Sequence, residues 1–147
     1  MPRFTKDDVK LRSWCKGPFQ MAGGALALSN IAALEAHFLA EWNDDIDATM
    51  ATMDPHEPFQ RVPALGVDIR GVVAVRDFYL ARFASWPGPV MEAFDRVTVG
   101  DTAILVEGVL RPQPGAEIGR LVGPCVVVVD FRDGLILGET VHGCLAR

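Results

Sequence analysis

Residues 126–144 read VVVVDFRDGLILGETVHGC, which is two runs of β-forming residues separated by Asp133 and Gly134. An Asp-Gly pair between β-formers is typical of a two-residue hairpin turn, because both central residues of a type I′ turn need positive φ, which Asp and Gly tolerate. The pattern therefore predicts a β-hairpin in which Phe131 pairs with Ile136.

Side chains alternate across a strand, so this register sorts the hairpin into two faces. Counted outward without interruption, it pairs Val128 with Glu139 and Cys125 with His142. One face then carries Val126, Val128, Asp130, Leu137, Glu139 and Val141. The other carries Cys125, Val127, Val129, Phe131, Ile136, Thr140, His142 and Cys144. A carboxylate and an imidazole are thus predicted on opposite faces, and whichever face is concave would hold a site.

The composition indicates one domain with a substantial core, because 50% of the 147 residues are hydrophobic. The formal net charge is -5. No cluster of Lys or Arg with interleaved aromatic residues could neutralise a phosphate backbone, which argues against nucleic acid as a partner. A small molecule or another protein is the expected partner.

The three cysteines, Cys15, Cys125 and Cys144, are odd in number and show no Cys-x-x-Cys spacing. This usage favours neither a disulfide framework nor a metal site. We therefore expect no metal and no cofactor, and a reducing, cytoplasmic environment.

The N-terminal region loosely resembles a signal peptide, because residues 17–34 carry no charge and follow several basic residues. Polar and helix-breaking residues such as Pro18 and Gln20 interrupt the apolar run, so neither a signal peptide nor a membrane span is favoured. We expect residues 1–28 to form an N-terminal arm and residues 29–147 to form a single domain.

Helical periodicity occurs three times in the first two thirds of the chain. Ser29 or Asn30 is predicted to cap a helix that ends at Trp42, and a second helix is predicted to begin after Asn43. A third helix is predicted over residues 72–86, where a Pro-Gly-Pro sequence follows and stops it.

The rest of the chain has the pattern of strands. They are predicted over residues 57–62, 67–70, 90–99, 102–111 and 118–131, with the second half of the hairpin as the last. Helices followed by a meander of long strands indicate an α+β fold. A strongly bent antiparallel sheet with three helices on its concave face would bury the apolar helix stripes and leave a cone-shaped cavity.

Three segments carry a resemblance to a known superfamily: WNDDID at 42–47, IRGVVAVRDFY at 69–79, and FRDGLI at 131–136 with Glu139 following. They resemble the nuclear transport factor 2-like superfamily, and within it the SnoaL-like branch of polyketide cyclases, limonene epoxide hydrolase and ketosteroid isomerase relatives. The resemblance spans residues 30–145 and implies the cone-shaped fold. It implies no single reaction, because this superfamily hosts isomerases, dehydratases, cyclases, hydrolases and proteins without catalysis.

The resemblance also implies a carboxylate on the final strand that acts as acid or base inside the cone. At the corresponding position this chain has Val141, and Cys144 replaces the Asp that often follows. The nearest carboxylate is Glu139, one pleat away on the same face, so the resemblance favours the Glu139 face as the interior.

Four residues are candidates for catalysis. Glu139 and Glu107 lie in otherwise apolar strands, where burial would raise a carboxyl pKa toward the range useful for acid–base chemistry. His56 follows the second helix and His142 lies on the last strand, and either imidazole could transfer protons near neutral pH. The alternative for each is an exposed or structural side chain.

Aromatic and apolar residues are predicted to form the ligand-binding wall of the cavity: Trp42, Phe59, Tyr79, Phe83, Trp86 and Val141. Walls of this kind suit a flat, apolar ligand. His37, within the first predicted helix, is interpreted as structural.

Two functions remain open. The chain could be a cofactor-independent isomerase, cyclase or hydrolase that acts on a small apolar molecule, or a noncatalytic module that binds hydrophobic ligands or dimerises. In either case we expect a homodimer through the convex sheet face, because both faces of the last strands are too apolar to leave one in water.

Overall fold

The computed structural model describes residues 2–111 and 121–145, with the backbone alone at residue 92. Its helices are α1 (Leu11–Trp14), α2 (Ala25–Trp42), α3 (Ile46–Ala51) and α4 (Val72–Ser85), and residues Pro63–Leu65 form a single 3-10 turn. Its strands are β1 (Phe19–Met21), β2 (Phe59–Val62), β3 (Val67–Arg70), β4 (Met91–Val99), β5 (Ala103–Leu110), β6 (Leu121–Arg132) and β7 (Leu135–Leu145). The predicted α+β class is confirmed. The first residues of the strand predicted over 118–131 lie outside the described residues.

The strands of the described residues form one sheet in the order β1-β4-β5-β6-β7-β2-β3. Strands β4 to β7 make the predicted antiparallel meander, while β1 joins β4 and β2 joins β7 in parallel. The parallel pairing places Gln60 of β2 beside Glu139 of β7. Helices α2 and α4 cover the inner face, and the fully buried core there includes Leu34, Val75 and Val129.

The predicted hairpin turn is present. Asp133 and Gly134 have φ of 54° and 78°, and Phe131 pairs with Ile136. Both central residues therefore adopt the left-handed conformation that the Asp-Gly sequence indicates.

Beyond the turn, the predicted register is wrong by one residue. A β-bulge shifts the pairing between Phe131 and Asp130, so that Asp130 pairs with Gly138 and Val129, not Val128, pairs with Glu139. A bulge places an extra residue in one strand, and a one-residue shift moves every later partner to the other face. The strand sequences themselves do not indicate this insertion.

The bulge changes which residues share the inner face. Ile136 and Glu139 are three residues apart and both are buried, which a regular strand would not allow. Glu139 and Val141 now share the inner face with Val127 and Val129, while His142 is exposed on the outer face. The expectation that the Glu139 side faces the interior is met, with different partners on β6.

The start of α2 also differs from the prediction. The helix begins at Ala25, and the carboxylate of Asp101, in the turn before β5, accepts hydrogen bonds from the backbone N–H groups of Gly24 and Ala27 (2.9 and 3.2 Å). Asn30, one of the two predicted caps, is instead buried and donates to the carbonyl oxygens of Gly100 and Asp101 (3.1 and 3.0 Å). A distant loop therefore supplies the cap, which local sequence cannot indicate.

Much of the segment preceding α2 packs on the rest of the chain. Strand β1 pairs with β4, placing Phe19 beside Val97, and Val9 and Leu11 are buried. Asn43, predicted to cap the second helix, exchanges two hydrogen bonds with the backbone of Phe4 (2.9 and 3.0 Å). The cap of α3 is the side chain of Asp45.

Within the described residues, no helix combines the length and the apolar character that crossing a membrane requires.

Candidate active site

Four buried side chains from three elements meet under the inner face of the sheet. His37 and Glu41 lie one turn apart on α2, so both project from the same side of the helix. Tyr79 comes from α4 and Glu139 from β7, and all four are at least nine-tenths buried. Titratable side chains are rarely this buried unless they are paired, so their mutual contacts define the site.

The contacts converge on one nitrogen. Nε2 of His37 lies 2.7 Å from Oε1 of Glu41, 3.3 Å from Oε1 of Glu139 and 3.2 Å from the hydroxyl of Tyr79. A single N–H cannot point at three acceptors. It aligns with the Tyr79 hydroxyl, and the two carboxylate oxygens interact with the ring by charge while forming no aligned hydrogen bond within the described residues.

The other ring nitrogen of His37 carries a proton because of Thr52. Nδ1 lies 2.6 Å from the Thr52 hydroxyl, which donates its own hydrogen to the carbonyl oxygen of Thr49 (2.7 Å). The hydroxyl oxygen must therefore accept a hydrogen bond from Nδ1–H. A neutral ring would have no proton on Nε2, and its lone pair would then face two carboxylates. The arrangement therefore favours the doubly protonated imidazolium.

The electrostatics agree with this assignment. Burial alone would lower the pKa of His37, but the charges of Glu139 and Glu41 and their contacts with the ring outweigh it and raise the pKa from 6.5 to about 10. Burial would raise the pKa of Glu41, and His37 and Arg82 reverse this and lower it. Burial and the nearby carboxylates raise the pKa of Tyr79 well above its ordinary value.

Tyr79 connects the cluster to β2. Its hydroxyl lies 3.3 Å from Oε2 of Glu139 and 3.4 Å from Oε1 of Gln60, and it has one hydrogen to donate to either. Oε1 of Glu139 and Oε1 of Glu41 are both buried without a conventional hydrogen bond among the described residues. The cluster can therefore accept a further hydrogen bond or proton at a carboxylate.

Arg82 balances the second negative charge. Its Nη2 donates to the carbonyl oxygen of Gly88 (2.7 Å) and lies 3.6 Å from Oε2 of Glu41, while Nη1 lies 3.7 Å from Oδ1 of Asp44. With His37 as an imidazolium, the positive charges of His37 and Arg82 balance the negative charges of Glu41 and Glu139. Such balance is what allows several charges to remain buried together.

The cluster borders a small cavity of about 60 Å³. Its polar lining comes from Glu41, Gln60, Tyr79, Arg82 and Glu139, and the remaining walls are apolar, including Phe38, Phe78, Val127 and Val141. A space of this size holds only a few water molecules. A ligand-sized molecule would need more room than the inner cavity alone offers.

Of the four predicted catalytic residues, Glu139 alone borders this cavity. Glu107 projects from the outer face of β5, its side chain is 45% exposed, and it pairs with Arg96 at 3.1 Å. His142 is exposed on the outer face, and His56 is exposed in a surface cleft lined by Arg70 and Arg132. Three of the four candidates thus point away from the cluster, because strand alternation or loop position directs them to solvent.

The predicted wall residues divide in the same way. Tyr79, Trp86 and Val141 line the inner cavity. Trp42 packs edge-on against Trp14 and Phe4, Phe59 lies on the outer side under the Arg70 guanidinium, and Phe83 is buried beside Tyr79 without lining the cavity. Gly138 lies against the Phe59 ring, which a Cβ at Gly138 would overlap.

Sequence reasoning missed His37 and Glu41 as members of the site. The signal was available: the apolar stripe of α2 contains Leu34, Phe38 and Trp42, and His37 and Glu41 fall within that stripe at a spacing of four. Two titratable residues on the buried side of a helix need partners, which predicts a polar cluster. The helix sequence does not indicate that the partners are Tyr79 and Glu139.

The same three side chains, His37, Glu41 and Glu139, form a set whose potential ligand atoms lie within 4.8 Å of one another. One imidazole and two carboxylates are ligand types that Zn²⁺ accepts. However, a metal ligand must be a neutral imidazole, so a metal ion would first have to displace the proton that the two carboxylates favour on Nε2. Proton and metal would compete for Nε2, so the residues fit a proton-transfer cluster better than a metal centre.

No protein-family model matches the sequence, and no curated protein matches it either. Solved structures do match the fold. An NTF-2 like protein of unknown function from Burkholderia xenovorans LB400 has a TM-score of 0.61 and 21% identity, covering 84% of this chain and 89% of that one. A suggested SnoaL-like polyketide cyclase from Jannaschia sp. CCS1 has a TM-score of 0.62 and 19% identity, covering 80% and 87%.

An LEH-like epoxide hydrolase from M. tuberculosis is similar to the same extent, with a TM-score of 0.60, 19% identity and coverage of 80% of this chain and 84% of that one. These structures establish that the chain has the nuclear transport factor 2-like fold, which confirms the fold implied by the sequence resemblance. At such identities the likeness concerns the fold and leaves the reaction open.

Proposed function

We propose that this protein is a cofactor-independent acid–base catalyst that acts on a small, mainly apolar molecule, as an isomerase, cyclase or hydrolase. The observation that carries the proposal is the position of Glu139, a buried carboxylate on the wall of an otherwise apolar cavity, in contact with His37 and Tyr79. Similar folds named as a polyketide cyclase and an epoxide hydrolase support these reaction classes.

In this proposal Glu139 is the group that gains and loses the proton. Its Oε1 has no aligned hydrogen bond among the described residues, so it can accept one from a ligand, while Oε2 is held by Tyr79. Abstraction of a substrate proton by Glu139 would leave negative charge on the substrate. The Tyr79 hydroxyl, whose pKa is raised, stays protonated, and once Glu139 has taken the proton its single hydrogen can turn from Oε2 of Glu139 to the charged substrate oxygen.

His37 and Glu41 have supporting roles in this scheme. The lowered pKa of Glu41 keeps it ionised, and it holds the imidazolium of His37 beside Glu139. That cation places positive charge beside the Glu139 carboxylate, and a proton that Glu139 takes can return to a different atom of the substrate. In an isomerisation Glu139 would take a proton from one carbon and return it to another, so that a double bond shifts between them. In an epoxide hydrolysis it would take a proton from water as the water oxygen bonds to a ring carbon, the C–O bond of the ring breaks, and the resulting alkoxide receives the proton.

Replacing Glu139 by Gln tests the proposal, with Glu107→Gln as the matched control on the opposite face of the sheet. Turnover would be measured across epoxides, β-keto compounds and enones. Removal of a general base lowers kcat by about 10²–10⁴ fold, so Glu139→Gln should lose nearly all activity while Glu107→Gln keeps it. Equal activity of wild type and Glu139→Gln on an accepted substrate would refute the assignment.

A noncatalytic ligand-binding module is the second candidate. It is favoured by the fact that both inner carboxylates already face His37 and that Val141, which can neither take nor give a proton, occupies the cavity wall. Binding of hydrophobic compounds without turnover of any of the three substrate classes would support it. Turnover that Glu139→Gln abolishes would rule it out.

We also propose a homodimer formed through the outer face of the sheet. Leu105 is 39% exposed there, and Val126 and Val128 beside it are only half-buried. An apolar patch on a sheet face is typical of an interaction surface. Sedimentation should give a dimer at micromolar concentration that Leu105→Lys dissociates, whereas a monomeric wild type would contradict the proposal.

A reducing environment, such as the cytoplasm, is proposed from the cysteines. All three are free thiols, and burial raises the pKa of Cys125 to about 11, which keeps it unreactive. Unchanged stability with and without a reductant is the expected result, and a loss of stability on reduction would contradict it.

A further inference from the structure

A second, larger depression lies along the face of α4 that adjoins the cluster. It is a groove of about 370 Å³ between α4 and the edge formed by the 3-10 turn and β3. Leu65, Val67 and Ile69 line one side, and Ala81 and Ser85 line the other. The groove is therefore mainly apolar and lies outside the cavity that holds the ionisable residues.

The groove and the inner cavity share two lining residues, Phe78 and Arg82. Phe78 and Arg82 are one turn apart on α4, and Tyr79, next to Phe78, reaches the inner cluster. The partition between the two spaces is thus a single layer of side chains. Phe78 is only half-buried and packs edge-on against Tyr79 with ring centroids 5.7 Å apart.

We propose that the groove and the inner cavity are two compartments of one ligand site, with Phe78 as the movable partition. The apolar body of the ligand lies in the groove, and only its polar, reacting end passes Phe78 to reach Glu139. This inference rests on the proposed function for the role of Glu139. The inner cavity, at about 60 Å³, is too small for such a ligand, whereas the groove, at about 370 Å³, lies within the range of roughly 300–1,000 Å³ typical of small-molecule sites.

The charges around the partition define the chemistry of the reacting end. Arg82 already faces Glu41 and Asp44, and a ligand carboxylate would add negative charge beside Glu41 and Glu139. Nη1 of Arg82 and Nε1 of Trp86 are buried hydrogen-bond donors without an acceptor among the described residues. The positive charge of Arg82 is already balanced by carboxylates, so these two donors favour an uncharged oxygen acceptor. The ligand class is therefore an apolar molecule that ends in a neutral carbonyl group.

Binding of a neutral, apolar ketone tests the two-compartment site. The dye Acdan, an acetyl-dimethylaminonaphthalene, is of this class, and its emission shifts to the blue in apolar surroundings. Ala81 is exposed in the groove and Leu80 is exposed beside it outside the groove, so Ala81→Phe fills the groove and Leu80→Phe is its matched control. Affinity is read from the emission shift during titration.

We expect Ala81→Phe to weaken Acdan binding by about tenfold or more, since it removes the apolar burial on which affinity depends, and Leu80→Phe to leave it unchanged. Ser85→Phe, from the same side of the groove, should act as Ala81→Phe does. Phe78→Ala should speed association in stopped-flow measurements. Wild-type affinity in both groove-filling variants would overturn the inference.

The binding assay also separates this inference from the proposed function. If groove-filling variants lose binding but wild type turns over no substrate, the two-compartment site stands and the catalytic proposal fails. If a substrate is found and Ala81→Phe turns it over with unchanged KM, the catalytic proposal stands and the two-compartment site is refuted.

Discussion

Glu107 and Glu139 are carboxylates in neighbouring parts of one sheet, and they meet opposite surroundings. Glu107 projects outward from β5, about half exposed, and pairs with Arg96. Glu139 projects inward from β7, is 5% exposed, and faces His37 and Tyr79. The comparison shows that an apolar strand around a carboxylate does not identify a site. A buried cation and a hydrogen-bond donor on the facing helices distinguish the inner residue.

Removing His37 should reveal the largest difference between the two carboxylates. His37→Leu leaves Glu41 and Glu139 buried without their shared cation, and breaking a buried pair in this way costs about 3–5 kcal/mol of unfolding free energy. Arg96→Met, the equivalent change on the outer face, should cost about 1 kcal/mol or less. Urea unfolding at neutral pH measures both, and equal losses in the two variants would contradict the distinction.

The pH dependence of stability should differ as well. Because folding raises the pKa of His37 from 6.5 to about 10, the folded protein binds more protons than the unfolded chain between these values. The stabilisation is complete below the lower value and is lost as pH rises through the upper one. Because one pKa unit is worth about 1.4 kcal/mol, we expect the unfolding free energy to fall by up to about 5 kcal/mol over this interval.

The control for this pH effect is again on the outer face. Glu107→Gln should keep the full loss of stability toward alkaline pH, whereas His37→Leu should keep only the part that comes from other groups. A wild-type profile that is flat from neutral pH to pH 10 would contradict a protonated His37 in the folded protein.

Whether a structural feature was predicted correctly from the sequence depended on how far apart in the chain its interacting residues lie. The turn at Asp133 and Gly134 was predicted correctly because its determinant, positive φ at two adjacent residues, is local. The bulge near Leu137 was not predicted, since a one-residue insertion leaves the alternation of strand residues intact on either side. Glu139 was nevertheless expected on the inner face.

The outer position of Glu107 could not be decided from its strand, because β5 has apolar residues on both of its faces. His37 and Glu41 could have been found from their place in the buried stripe of α2. Their partners could not, since Tyr79 and Glu139 lie far along the chain and meet the helix only after the sheet has bent over it. Local pattern thus indicated which residues are buried, and tertiary contacts decided what they do.

A smaller effect is expected from the Thr52 hydroxyl, which accepts the hydrogen bond from Nδ1 of His37. Thr52→Val removes this acceptor from the imidazolium, so the pKa of His37 should fall and stability at neutral pH should drop by about 1 kcal/mol. Thr49→Val is the matched control, because its hydroxyl bonds to the carbonyl oxygen of Asp45 and not to His37.

Nitrogen NMR of the imidazole distinguishes positioning from simple destabilisation in these two variants. Only Thr52→Val should change the nitrogen shifts and the titration of the His37 ring, while Thr49→Val should leave both as in wild type. Identical ring signals in wild type and Thr52→Val would contradict the assignment of the Nδ1 proton.

The smallest effect is expected from Glu107→Gln. The Arg96 and Glu107 side chains are 48% and 45% exposed, so solvent and salt screen their attraction, and exposed pairs of this kind are worth about 0–1 kcal/mol. The loss should therefore be below about 1 kcal/mol and should disappear at high salt. A larger loss that persists in salt would mean that the pair is removed from water. The pair lies beside Leu105 on the proposed dimer face. If a second copy buries the pair, the loss should grow with protein concentration. A loss that does not depend on concentration would mean that the face assigned to Glu107 is wrong.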